Sequence, residues 1–111
     1  MKRFKYAFHG MMILFKKDYK FLMHVAVGIV AMICGALFQI SAIEWLMIII
    51  AIGLVLAFEA INTAVEYVVD LVTSEYETLA KYAKDIAAFS VMLASIVALV
   101  IGFVIFLPYL F

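Results

Sequence analysis

Apolar positions dominate three stretches of the chain, at about 21–40, 45–70 and 86–107, and charged residues lie mostly outside them, apart from an acidic run at the end of the second. A bilayer core of about 30 Å is crossed by about 20 residues of helix, so each stretch predicts a membrane-spanning helix. The first two are joined by a brief turn, "QISAIEW", in which Glu44 is the only charge. The second meets no Gly or Pro after Gly53 and runs on through an acidic stretch to Asp70. The third is expected to stop with the help of Pro108, and Trp45 and Tyr109 suit the membrane interfaces.

The first twenty residues follow another pattern. Phe4, Phe8, Met11, Met12 and Phe15 recur at three- and four-residue spacing, with Lys and Arg between them. That spacing predicts an amphipathic helix lying in the interface. Between the second and third spans, Ser74-Glu75-Tyr76-Glu77 fits a capping box with Ser74 as N-cap. A helix starting there would carry Lys84 and Asp85 into the top of the third span. No internal repeat or linker divides the chain, and a single all-α domain over 1–111 is expected.

Composition agrees with lipid as the solvent. Of 111 residues, 70% are hydrophobic and 14% charged, against about 45–50% and about 25% in soluble domains. Net charge is zero, which argues against a nucleic-acid partner. The single cysteine, Cys34, excludes an intrachain disulfide and a cysteine-based zinc site. The basic N-terminal stretch is followed by too short an apolar run to be a cleavable signal. All Lys and Arg residues lie before the first span or between the second and third. The positive-inside rule therefore puts the N-terminus and the 71–85 loop in the cytoplasm and the C-terminus outside.

Candidate chemistry lies in the second span. At about 100° per residue, Glu59, Asn62, Glu66 and Asp70 fall within about 80° of one another. Measured from Trp45, Glu59 lies about 21 Å inward and Glu66 about 10 Å beyond it. The stripe thus runs from inside the hydrocarbon towards cytoplasmic water. An ionisable group at the bilayer centre costs about 2.5–3.5 kcal/mol on insertion scales. Packing against other helices would account for one Asn or Ser, but not for two glutamates and an aspartate. Carboxylates without a Cys or His cluster are hard oxygen ligands, suited to Mg²⁺ and its phosphates. The deeper Glu59 suits a general base. No G-x-x-x-x-G-K-[ST] loop announces a nucleotide, so the residues alone support an interfacial metal and acid–base site.

The segment "FEAINTAVEYVVDLVTSEYETLAKYAKDIAA" resembles the small bacterial membrane kinases of the diacylglycerol kinase/undecaprenol kinase family, whose signature is E-x-x-N-[ST]-A-[IV]-E-x-x-V-D followed by A-K-D. "IEWL" and "IGFVIFLP" are similar to the Gram-positive branch, whose members phosphorylate undecaprenol; the other branch prefers diacylglycerol. The resemblance implies that Glu59 is the base for the lipid hydroxyl and that Glu66 ligates Mg²⁺ together with Asp18, where the family usually has Glu. It implies that Asn62 and Asp70 orient the site. Lys84 and Asp85 would hold ATP, with Tyr76 and Glu77 near the nucleoside. It further implies a homotrimer in a bacterial plasma membrane, with the N-terminal helix and second span of different subunits completing each site. Undecaprenol is the expected acceptor and diacylglycerol the alternative. A non-enzymatic trimer, such as a small channel or regulatory subunit, is the contrasting class.

Overall fold

The structure, a computed structural model, describes residues 2–111. It consists of four helices: α1 (Lys2–Lys17), α2 (Tyr19–Phe38), α3 (Ala42–Val72) and α4 (Thr78–Leu110). The last three are long and apolar enough to cross a membrane, in the places where the apolar runs predict spans. At about 1.5 Å per residue, α3 is about 46 Å long, well beyond a hydrocarbon core of about 30 Å. One end of it must therefore project. α3 packs chiefly on α4, with α2 against α3. Val27, Leu37, Ile86 and Val104 are all exposed, as suits a protein whose solvent is lipid.

The first helix ends three residues earlier than its expected limit at residue 20, because Asp18 breaks it. Asp18 takes an extended backbone (φ −111°, ψ 95°) and becomes the N-cap of α2. Its Oδ1 accepts the N–H groups of Lys20 and Phe21 at 3.1 and 3.2 Å, satisfying donors that a helix start leaves open. The Phe15 and Phe21 rings meet edge-on at 5.5 Å across the break. α1 itself buries no residue.

At the other end of α2, Gln39 is left-handed (φ 53°, ψ 53°). That conformation lets the Ile40 N–H reach the Gly35 carbonyl at 3.2 Å. The segment expected as a turn at 41–44 already starts α3. Ser41 Oγ accepts the Glu44 N–H at 3.2 Å, and Glu44 Oε1 accepts the Ser41 N–H at 2.9 Å, so the capping box is here. Glu44 also accepts the Tyr109 hydroxyl at 2.6 Å, and the Phe38 and Tyr109 rings stack at 5.8 Å. These contacts fasten the last turn of α4 to the end of α2 and the first turn of α3. Nearby, Gly35 admits Trp45: a Cβ there would lie 2.9 Å from the indole. Small residues at helix contacts bring backbones close where no hydrophobic drive exists between helices in lipid.

Two expectations are corrected. The capping box at Ser74 and Glu77 does not form: α4 begins at Thr78, with Glu77 as an N-cap that makes no side-chain cap bond. The Thr73 hydroxyl instead accepts the Glu75 N–H at 3.1 Å, holding the connection in a local turn and delaying the helix. Lys84 and Asp85 nevertheless lie on α4, as expected of a helix entering the third span. Pro108 does not stop that helix, which continues to Leu110. In the last turn the missing proline N–H removes one bond only, and the Phe111 N–H still reaches the Leu107 carbonyl at 3.1 Å.

Candidate active site

The acidic stripe of α3 meets the start of α2. Glu59 and Asn62 are 2% and 3% exposed, and Thr63 and Asp18 are buried beside them. Thr63 lies one helical turn beyond Glu59, a spacing that makes neighbours of their side chains. Its Oγ1 is 2.5 Å from Asp18 Oδ2 and 3.2 Å from Glu59 Oε2. Burial pushes the Asp18 carboxyl up, but the Thr63 hydroxyl, the neighbouring Glu59 carboxyl and the Phe21 and Lys20 N–H groups outweigh it and hold it below its ordinary range. On the other side of Glu59, Oε1 faces His24 Nε2 at 3.8 Å.

The stripe continues towards the end of α3. Asn62 Nδ2 donates to Glu66 Oε1 at 3.2 Å, which also faces Lys20 Nζ at 3.6 Å. One turn further, Asp70 accepts from Lys84 at 2.7 Å. The ladder thus alternates acids with the cations of α2 and α4, which lowers the cost of holding several carboxylates on one face. One group is left over: Asn62 Oδ1 is buried without a partner. An unpaired acceptor of this kind is costly, so it marks a place for a donor.

These contacts sort the expected site residues. Glu59, Asn62 and Glu66 lie together, and Asp18 joins them through Thr63. Asp18 reaches α3 of its own chain through Thr63. Lys84 sits at Asp70, on the projecting end of the stripe. Asp85 pairs with Lys81 on its own helix at 2.5 Å, and Tyr76 and Glu77 are exposed in the connection. The structure does not bring those three to the buried cluster. Thr63 was missed by sequence reasoning, although it stands four residues after Glu59 in the quoted motif. His24 of α2 also meets Glu59, at 3.8 Å.

All donors in the cluster apart from His24 are oxygens or amides. Among the described residues, no three Asp, Glu, His or Cys side chains gather to enclose a metal. Mg²⁺ does not need such a cage, because it keeps several waters and uses one or two carboxylates with substrate phosphates. Glu66 and Asp18 fit that requirement, and the free Asn62 Oδ1 suits a donor such as a metal-bound water. An apolar groove of about 650 Å³ also opens between α2, α3 and α4, with His24 in its wall.

Comparison with known proteins finds relatives along nearly the whole chain. The family model for prokaryotic diacylglycerol kinase matches residues 5–106. The chain is 39% identical to an undecaprenol kinase of Bacillus subtilis over 96% of this chain and 87% of that protein. It is 37% identical to a diacylglycerol kinase of Synechocystis over 95% of this chain and 61% of that one. A diacylglycerol kinase of Escherichia coli is 30% identical over 86% and 78%.

Proposed function

The chain belongs to the prokaryotic diacylglycerol kinase family, and from that premise we propose that it uses MgATP to phosphorylate undecaprenol in a bacterial plasma membrane. The observation that carries the reading is the buried Glu59, 3.2 Å from the Thr63 hydroxyl and facing His24, a residue that lines the apolar groove. The similarity to the Bacillus undecaprenol kinase favours a prenol over a glyceride as acceptor.

The chemistry follows from positions. The lipid chain lies along the groove and brings its hydroxyl to Glu59, which accepts the proton as the oxygen attacks the γ-phosphorus. The bond from that phosphorus to the bridging oxygen of ADP breaks as the new one forms. Glu66 and Asp18 would hold Mg²⁺, which when bound would neutralise charge on the phosphates. Lys84, swung from Asp70, meets the transferring group, and Asp85, Tyr76 and Glu77 border the nucleotide. Asn62 orients Glu66, and Asp70 holds Lys84 until the nucleotide binds. Phosphoryl transfer needs mainly positioning and charge neutralisation, so no Walker loop is required.

The N-terminus and the 73–77 connection face the cytoplasm, where ATP is, and α1 lies amphipathically on that surface. The active form is a homotrimer in which neighbours cover the open side of the stripe and share in completing each site. The unpartnered Asn62 Oδ1 supports this. The substrate test is an assay of purified protein in mixed micelles with MgATP and either undecaprenol or diacylglycerol. Higher kcat/KM on undecaprenol is expected; a clear preference for diacylglycerol would overturn the choice of acceptor.

A further inference from the structure

Thr63 has one hydroxyl hydrogen and two carboxylate neighbours. Its Oγ1 lies 2.5 Å from Asp18 Oδ2 and 3.2 Å from Glu59 Oε2, and the shorter contact holds the hydrogen. We propose that Thr63 is a positioning residue whose hydrogen bond passes from Asp18 to Glu59 when a divalent cation draws Asp18 away. The proposal rests on the lipid-kinase reading, in which Asp18 is a metal ligand and Glu59 the base.

The geometry makes the two states exclusive. Asp18 Oδ1 is engaged by the Lys20 and Phe21 N–H groups, so the N-cap anchors one oxygen and leaves Oδ2 as the arm available to a cation. That arm is the one Thr63 holds. A hydrogen bond to a charged acceptor is roughly twice as strong as a neutral one, so the cation must compete with it. Once Oδ2 turns to the metal, rotation of the O–H bond alone points the hydrogen at Glu59 Oε2. No heavy atom of α3 has to move.

Burial gives the exchange its consequence. Thr63 is 7% exposed and Glu59 2%, so water does not readily replace either contact. In the resting chain Glu59 Oε2 has only the longer, 3.2 Å contact to the Thr63 hydroxyl, and Oε1 faces His24 Nε2 at 3.8 Å. After the exchange Oε2 is fixed by Thr63, and Oε1 is left to meet the lipid hydroxyl. Metal binding near Asp18 thereby sets the orientation of the base. The base would be held for reaction only when MgATP is present.

Two substitutions separate this role from simple packing. Thr63→Val keeps the shape and removes the hydroxyl; Thr63→Ser keeps the hydroxyl and removes the methyl group. Affinity is read from the electron-spin resonance of Mn²⁺ with a non-hydrolysable ATP analogue in micelles. Turnover is read at saturating metal. Thr63→Val should bind Mn²⁺ about tenfold tighter, because Asp18 is no longer held, while kcat falls about tenfold or more. Thr63→Ser should stay within about threefold of the parent protein in both, a difference of less than one hydrogen bond. Opposite shifts in affinity and turnover are not produced by loosened packing, which weakens both. Unchanged or weaker Mn²⁺ binding in Thr63→Val, or unchanged turnover, overturns the proposal. If the parent protein makes no phosphorylated lipid, the kinase reading fails, and the Mn²⁺ comparison still decides whether Thr63 restrains Asp18.

Discussion

Asp18 has two tasks in this account, and two substitutions pull them apart. As N-cap it accepts two backbone N–H groups through Oδ1, and through Oδ2 it accepts from Thr63. Replacement by Ala removes both. Loss of an N-cap costs about 1 kcal/mol, and loss of a buried hydrogen bond to a charged group about 1.5–3 kcal/mol. Adjacent contacts are not strictly additive, so Asp18→Ala should destabilise the protein by about 2–4 kcal/mol. Asp18→Asn keeps the cap oxygen and can donate its amide to Thr63 Oγ1, whose hydrogen then turns to Glu59. Its cost should be about 1 kcal/mol. Unfolding in mixed micelles by a denaturing detergent, followed by circular dichroism, measures the difference. Titrating Mg²⁺ in the kinase assay measures the other task. Both variants lose the charged ligand, so both should need more Mg²⁺ for half-maximal turnover. Equal stability of the two variants would refute the capped corner. An unchanged Mg²⁺ requirement in Asp18→Asn would leave Asp18 a cap and nothing more.

Further expectations follow from other contacts. Glu59→Gln can still accept from Thr63, so it should keep its fold and ATP affinity while kcat falls about 10²–10⁴-fold, the usual worth of a general base; near-normal turnover would mean the proton leaves by another route. Gly35→Ala places a Cβ 2.9 Å from the Trp45 ring, whereas Gly28→Ala meets a methyl group of Ile52 at 3.1 Å. Overpacking costs about 1–3 kcal/mol, so detergent unfolding should show Gly35→Ala as the more damaging change, and the reverse order would contradict the α2–α3 packing. Because Asp18 contacts α3 of its own chain, mixing Asp18→Ala with Glu66→Gln protein should restore no turnover after cross-linking confirms subunit exchange; recovery would show that Asp18 serves a neighbour's Glu66.

What the sequence made legible follows from the range of each interaction. The three spans were readable because hydrophobic length is a local quantity, and the acidic stripe because helical period places Glu59, Asn62 and Glu66 on one face. Boundaries were harder. Ser41 and Glu44 stand in the same S-x-x-E spacing as Ser74 and Glu77, yet only the first pair caps a helix. The difference lies outside the motif: Glu44 is also held by Tyr109, 65 residues away, while the Thr73 hydroxyl competes for the backbone beside Ser74. The site divides in the same way. Thr63 shares a helix face with Glu59 and was there to be noticed, but its bond to Asp18 spans 45 residues and no spacing rule reveals it. His24 likewise meets Glu59 only because α2 folds back on α3. Lys84 was expected to be a phosphate ligand from the family motif, and its resting partner Asp70 emerges only when α3 and α4 are packed together.

The central claim is phosphoryl transfer to a lipid alcohol at the Glu59 cluster, and the most direct measurement follows the γ-phosphate itself. Purified protein in proteoliposomes with undecaprenol, Mg²⁺ and ATP labelled at the γ-position should move label into the organic extract as a lipid monophosphate. Chelating the Mg²⁺ should abolish that transfer, and so should Glu59→Gln. Ion flux without ATP, with no label reaching any prenol or glyceride, would contradict the account and favour a membrane channel.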